Sequence, residues 1–235
     1  MNLLLLLPND VVAGDGSVQI SDHRTDHIRD VLRSKVGDRL RVGRLGGDLG
    51  VGVITALDDE GVRLKVDLHQ PPPPRHRFDI VLALPRPKML RRVLRTVAEF
   101  GVEHLHLINS ARVEKSYWQT PLLRQEKVHD ALLAGLERAS DTVMPHVYQH
   151  KLFRPFVEDR LPSICAGRPC WIAQMGSPLA LRDTPQGQAV VMVGPEGGFV
   201  PFELNLVQQV IARPVNLGSR TLSVDTALTS VLAQG

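Results

Sequence analysis

The chain has 235 residues, of which 43% are hydrophobic and 23% charged, so a disordered or fibrous polymer is excluded. At about 150 residues per domain, this length predicts one large or two small domains. The net charge of +3 is too small to identify a nucleic-acid partner, but residues 1–70 carry nine Lys and Arg against eleven Asp and Glu, so the basic surplus belongs to residues 71–235.

Three features limit the class of protein further. Cys165 and Cys170 match neither a disulfide framework nor a four-ligand zinc site, and we interpret them as buried thiols. The apolar run Leu3–Leu7 lacks a basic flank and is too short to cross a membrane. His23 and His27 have a zinc-like spacing but no third ligand, so we interpret them as surface residues. The sequence therefore predicts a cytoplasmic protein without a metal site or a membrane partner.

The first 70 residues predict a small barrel, because short strands dominate them. The predicted elements are a helix over Ser21–Arg33 with Ser21 as its N-cap, strands over Arg39–Arg44 and Leu49–Leu57, and an alternating strand over Val62–Leu68. Four prolines at 71–74 cannot join a helix or a central strand, and they suit a connector between domains. We therefore predict a first domain at 1–70, a linker at 71–75 and a second domain at 76–235.

The second domain is predicted to be α/β, because short apolar runs alternate with helical periods. The predicted strands are Asp79–Leu84, His104–Asn109, Cys170–Gln174, Ala189–Val193 and Val215–Leu217. Three helices are predicted. The first has an apolar stripe at Leu90, Val93, Leu94 and Val97 and ends at Gly101, and the second has a stripe from Val128 to Ala139. The third begins at Pro201 and ends near Ala212.

The helix that begins near Lys88 has a cationic face. Lys88, Arg91, Arg92 and Arg95 share a side opposite the apolar stripe, and Arg75, Arg77 and Arg86 precede them. Such a surface suits a phosphate backbone, although a solvated helix face is an equally good interpretation.

A glycine-dense turn, Gly194–Gly198, follows the apolar strand that ends at Val193. In open α/β sheets, ligands bind at the carboxyl ends of the strands, so this turn predicts a cofactor pocket, with a purely structural turn as the alternative. The turn has neither a P-loop nor the complete G-x-G-x-x-G spacing, and the chain has no G-x-S-x-G elbow. A nucleoside triphosphatase, a dinucleotide dehydrogenase and a hydrolase are therefore unsupported.

Two segments of the second domain resemble the C-terminal signatures of the RsmE family. These are Val193-Gly-Pro-Glu-Gly-Gly-Phe199 and Leu217-Gly-Ser-Arg-Thr-Leu222, the latter followed by Asp225-Thr-Ala. Further matches lie at Asp26-His27-Ile28, Val31-Leu32-Arg33, Lys35-Val36-Gly37-Asp38 and Glu99-Phe100-Gly101-Val102, so the resemblance covers nearly the whole chain. The family comprises SPOUT-superfamily methyltransferases that methylate N3 of a uridine in 16S ribosomal RNA.

The resemblance implies a PUA-like N-terminal β-barrel for RNA docking, a SPOUT α/β domain with a C-terminal trefoil knot, and a homodimer that acts on the small ribosomal subunit. It implies S-adenosylmethionine as cofactor, held by backbone groups of two loops. The implied cofactor residues are Val193, Gly194, Glu196, Gly197, Gly198, Leu217, Gly218 and Leu222. The implied RNA-binding residues are His27, Arg33, Arg86, Lys88, Arg91, Arg92 and Arg95.

Arg220 is the expected catalytic residue, because its guanidinium could stabilise the negative charge that develops on the uracil carbonyl oxygens. The chain departs from the family pattern at Thr96, Asp141, Ser223 and Asp225. These departures leave two alternatives open, a noncatalytic RNA-binding protein of the same fold and a methyltransferase that acts on another RNA nucleotide.

Overall fold

A computed structural model describes residues 2–235, which form two compact units. The first contains the residues up to Pro74 together with Leu133–Met144, and the second contains Arg75–Leu132 and Pro145–Gly235. Residues Leu133–Met144 thus group with the first unit, although the sequence analysis assigns them to the second domain. Within residues 2–235, no helix has the length and apolar character needed to span a membrane.

The first unit is built on a five-stranded sheet in the order β1-β3-β4-β5-β2. Its strands are β1 (Leu4–Leu6), β2 (Ser17–Ile20), β3 (Arg39–Arg44), β4 (Leu49–Asp58) and β5 (Gly61–Gln70). The three strands predicted from the sequence are confirmed, whereas β1 and β2 were not predicted. Val62 and Leu64 on β5 face a core shared with Ile54 on β4, as the alternating pattern requires. β1 and β2 are the edges of the sheet, and the PUA-like barrel stays a prediction.

The first helix is shorter than predicted. Helix α1 (His23–Asp26) continues into one π-helical stretch at His27–Val31. Its N-cap is Asp22 and not Ser21, because the Asp22 carboxylate accepts from the Arg24 amide at 2.9 Å. The same carboxylate pairs with the buried Arg24 guanidinium at 2.6 Å, and Asp10 pairs with it at 2.6 Å. This paired charge ties the helix to the start of the chain.

The second unit contains a six-stranded parallel sheet in the order β11-β9-β10-β6-β7-β8. Its strands are β6 (Phe78–Ala83), β7 (His104–Ile108), β8 (His146–His150), β9 (Cys170–Ala173), β10 (Ala189–Val193) and β11 (Arg213–Val215). The α/β prediction is confirmed. Two details were wrong: the last strand ends at Val215, which leaves Leu217 in a loop, and β8 was missed because it is a polar edge strand.

The remaining α-helices are α2 (Pro87–Glu99), α3 (Gln125–Ala139), α4 (Phe153–Pro155), α5 (Leu161–Cys165), α6 (Pro201–Val210) and α7 (Val224–Leu232). On α2 the predicted stripe is fully buried, and Gly101 beyond its end has a φ of +68°. Cys165 and Cys170 are buried free thiols, as predicted.

Candidate functional site

The first cavity lies at the carboxyl ends of β9 and β10, and the loop that follows β11 forms another part of its wall. Its volume is about 360 Å³. Parallel strands place their carboxyl ends at one edge of the sheet, so three chain segments distant in sequence meet there. The lining residues are Ala173–Met175, Val193–Phe199, Leu204, Leu217, Gly218, Arg220–Leu222, Val224 and Ala227.

All eight residues of the expected cofactor set line this cavity, and Arg220 lines it as well. The structure therefore brings together two loops that the sequence separates by about twenty residues. Wall residues that the sequence analysis missed include Ala173–Met175, Phe199 and Leu204. The carboxyl-end rule could have identified Ala173–Met175, since they lie at the carboxyl end of a predicted strand, whereas Leu204 had no local signal.

Glycine is required at two places in the cavity wall. Gly198 and Gly218 have φ of +72° and +118°, values that other residues rarely adopt. A Cβ atom at either position would meet no protein atom within 4 Å, so both backbones border open space. The turn is closed by the Gly198 amide, which donates to the Pro195 carbonyl at 2.7 Å.

The buried Glu203 joins the glycine turn to the loop after β7, and the sequence analysis did not identify it. Its carboxylate accepts from the Val200 amide at 3.0 Å, the Ala111 amide at 2.7 Å and the Ser110 hydroxyl at 3.2 Å. From the same loop, Arg112 donates to the Gly197 carbonyl. Glu203 thus fixes the loop against the turn.

A second cavity of about 580 Å³ adjoins the first. It is lined by Arg86, Pro87, Lys88, Met89, Tyr117, Glu196, Ser223, Val224 and Asp225. Arg86 Nε lies 3.3 Å from Glu196 Oε1, and Arg92 Nη1 lies 3.0 Å from Asp225 Oδ2. The hydrogen bond from the Ser223 hydroxyl, together with the one from Arg92, holds the pKa of the Asp225 carboxyl below its usual value. This carboxylate is therefore ionised at neutral pH.

The expected RNA-binding residues fall into several places. Arg86 and Lys88 line the second cavity, Arg92 pairs with Asp225, Arg91 is exposed, and Arg95 is half-buried on α2. In the first unit, His27 is half-buried in the π-helical stretch, and Arg33 is exposed with a φ of +53°. Among residues 2–235, no group of three or more His, Cys, Asp or Glu side chains is placed to hold a metal ion.

The chain is similar over nearly its whole length to proteins that act on ribosomal RNA. It is 28% identical to ribosomal RNA small subunit methyltransferase E of Treponema pallidum, with 99% of this chain and 90% of that protein covered. It is 24% identical to ribosomal RNA small subunit methyltransferase E 1 of Borreliella burgdorferi, with 97% and 94% covered.

Solved structures show the same fold. The ribosomal RNA small subunit methyltransferase E of Neisseria gonorrhoeae, bound to S-adenosyl methionine, superposes with a TM-score of 0.76 at 20% identity, covering 100% of this chain and 95% of that one. A methyltransferase of Legionella pneumophila gives 0.75 at 19% identity, covering 99% and 95%. The family model that describes an RNA methyltransferase domain matches residues 71–234, which include every residue lining both cavities, and the chain therefore belongs to this family.

Proposed function

We propose that this protein is an S-adenosylmethionine-dependent methyltransferase that methylates N3 of a uridine in 16S ribosomal RNA. The observation that carries the proposal is the first cavity, whose wall is formed by both signature loops. The names of the relatives support the substrate, and the Neisseria structure supports the cofactor.

The first cavity fits the proposed cofactor. Its glycines leave backbone next to open space, where amide and carbonyl groups can contact adenine and the methionine tail. Apolar residues such as Phe199, Leu204 and Leu222 line the rest, as is usual for small-molecule pockets. When bound, S-adenosylmethionine supplies a methyl group whose bond to sulfur breaks as the bond to N3 forms, while N3 releases its proton.

The chain's own contribution is orientation and charge stabilisation. Holding both reactants in line recovers about 7 to 11 kcal/mol of the barrier in well-aligned systems. Arg220, at the first cavity, is the donor that we assign to the charge developing on the uracil carbonyl oxygens. We expect Arg220→Ala to lower kcat about 100-fold while the cofactor Kd is retained. Full turnover of this variant would contradict the assignment.

The RNA is held by cationic side chains from both parts of the chain. We assign phosphate contacts to His27 and Arg33 in a PUA-like domain at 1–70, and to Arg86, Lys88, Arg91, Arg92 and Arg95 in a SPOUT domain at 76–235, with 71–75 as linker. The target base has to leave its stack, since RNA recognition generally uses unpaired nucleotides. A cytoplasmic location follows from the proposed substrate.

We also assign a trefoil knot to the C-terminal part and a homodimer to the assembly. Chain knots are rare, but β11 returning beside β9 and two loops sharing one cavity are consistent with a knot. Phe202 on α6 and Leu152 before α4 are 55% and 67% exposed, which provides apolar surface that a second copy would cover.

The test is incubation of the protein with methyl-labelled S-adenosylmethionine and undermodified small-subunit RNA, free and assembled, followed by nucleoside mass analysis. Label in N3-methyluridine supports the proposal. Label in another nucleoside would replace the substrate, and tight cofactor binding without label in any RNA would favour a noncatalytic RNA-binding protein.

A further inference from the structure

The two cavities of the second unit are neighbours that share wall residues. Glu196 and Val224 line both the first cavity and the second. The two cavities therefore border one another at these residues, and ligands that occupy them are neighbours. Direct transfer of a group between two bound molecules needs such adjacency, because the reacting atoms must approach to about 3 to 3.5 Å.

The second cavity offers charged groups in fixed positions. Asp225 is held on one oxygen by the Ser223 hydroxyl at 2.5 Å and on the other by Arg92 at 3.0 Å. Glu196 is paired with Arg86 at 3.3 Å and is 38% exposed, so it retains accessible acceptor capacity. Asp225 is thus fully engaged in positioning neighbouring side chains, whereas Glu196 is available to a ligand.

The remaining lining residues suit a nucleotide. Arg86 and Lys88 are exposed cations that a phosphate can reach. Tyr117 adds an aromatic ring, and its hydroxyl donates to Glu114 at 3.0 Å, which fixes the edge of the ring. Aromatic rings near cationic side chains are the usual elements that hold an unpaired base and its backbone.

The Arg86–Glu196 pair presents a donor beside an acceptor. Uracil carries an N3–H donor between two carbonyl acceptors, so the carboxylate can accept from N3 while the guanidinium donates to an adjacent carbonyl. Cytosine has a lone pair on N3, which a carboxylate repels. The pair is therefore complementary to uracil at the ring atom that is to be methylated.

We infer that the second cavity is the acceptor-nucleotide site and that Glu196, paired with Arg86, selects uracil and accepts the N3 proton. The inference rests on the proposed function and adds to it the location and the chemistry of substrate recognition. Arg220 lines the first cavity but not the second, so it approaches the acceptor base from the cofactor side.

The experiment blocks the second cavity and leaves the first intact. Ser223→Trp fills the second cavity, and Ser163→Trp places the same bulk on an exposed position of α5. Cofactor Kd is measured by calorimetry, and methyl transfer is measured on undermodified small-subunit RNA. We expect Ser223→Trp to keep the cofactor Kd within about threefold and to lose transfer by at least about 100-fold, with Ser163→Trp unchanged.

Two milder variants keep the inference testable if Ser223→Trp misfolds. Lys88→Ala should raise the KM for RNA about fivefold without changing the cofactor Kd, whereas Lys127→Ala on α3 should change neither. Glu196→Gln should lower transfer to uridine at least about 30-fold and reduce discrimination against cytidine at the target position.

The failures are distinguishable. A wild-type protein that binds cofactor but labels no uridine would overturn both the proposed function and the acceptor site. Wild-type transfer to uridine, together with near-normal transfer by Ser223→Trp or an unchanged RNA KM in Lys88→Ala, would overturn the acceptor site alone.

Discussion

Gly198 sits in the wall of the first cavity with a φ of +72°, and Gly167, remote from both cavities, has a φ of +83°. At both positions a Cβ atom would have no protein atom within 4 Å. Alanine therefore introduces similar backbone strain at both, about 1 kcal/mol, but intrudes on a ligand only at 198.

We expect Gly198→Ala to weaken cofactor binding about tenfold, while Gly167→Ala leaves the cofactor Kd unchanged. Both variants should lose a similar free energy of unfolding, about 1 kcal/mol. Calorimetric titration and thermal unfolding of the two variants provide the measurements. Equal cofactor affinities in both variants would show that the turn does not contact the ligand.

Glu203 is 3% exposed and accepts three hydrogen bonds, from Ser110, Ala111 and Val200. In Glu203→Gln an amide nitrogen replaces one acceptor oxygen, which leaves a buried donor without a partner. We expect a loss of about 1 to 3 kcal/mol of unfolding free energy in urea.

Faster exchange of the Ala111 and Val200 amides should accompany this loss, because both donate to the carboxylate. The control is Glu158→Gln, which makes the same substitution in a carboxylate that is 39% exposed, and its effect should stay within about 0.5 kcal/mol. Indistinguishable losses in the two variants would mean that Glu203 does not fix the loop.

At the scale of elements, α2 has a fully buried apolar stripe and a cationic outer face. Arg91 on this face is exposed, and we expect Arg91→Ala to weaken RNA binding and to reduce the salt slope of the affinity by about 0.7 to 0.9 between about 50 and 200 mM.

Arg182→Ala is the matched control, because Arg182 is 77% exposed and lies outside α2. It should leave the slope unchanged, and neither variant should alter cofactor binding. A slope that is the same in Arg91→Ala as in the wild type would restore the solvated-face interpretation of α2.

The elements differ in how far sequence could predict them. β10 and α2 were predicted because a continuous apolar run and an i, i+3, i+4, i+7 stripe are local patterns that burial enforces. β8 was missed because its exposed residues are polar, and its strand conformation depends on pairing with β7. α1 begins at His23, later than predicted, because Asp22, and not Ser21, is positioned to cap it and to pair with Arg24.

At the scale of the whole molecule, stability should depend on pH through histidines that lie on the paired strands β7 and β8. Burial, followed by the charges of His150, His104 and Arg168, lowers the pKa of His106 to about 3. Burial also lowers the pKa of His150, which lies 3.1 Å from the His106 ring nitrogen. The folded state thus favours neutral imidazoles.

The unfolded chain binds a proton at His106 near pH 6.5, so stability is lost as the pH falls below that value. For His106 alone the loss between pH 8 and pH 5 is about 2 kcal/mol. Urea unfolding gives the difference in unfolding free energy between the two pH values. This difference should be smaller in His106→Gln than in the wild type, and it should be unchanged in His129→Gln, because His129 is exposed on α3. A wild-type stability that is flat over this range would contradict the expectation.

The sequence by itself determined the α/β class, the apolar strands, the stripe of α2 and the glycine turn after β10. These depend on periodicity and on the conformational freedom of glycine, which act over a few residues. Only the tertiary structure decided that Leu217–Leu222 faces that turn, that Arg92 pairs with Asp225, and that Glu203 reaches Ala111 across 92 positions. Such contacts are set by the way distant elements pack, so no local pattern encodes them.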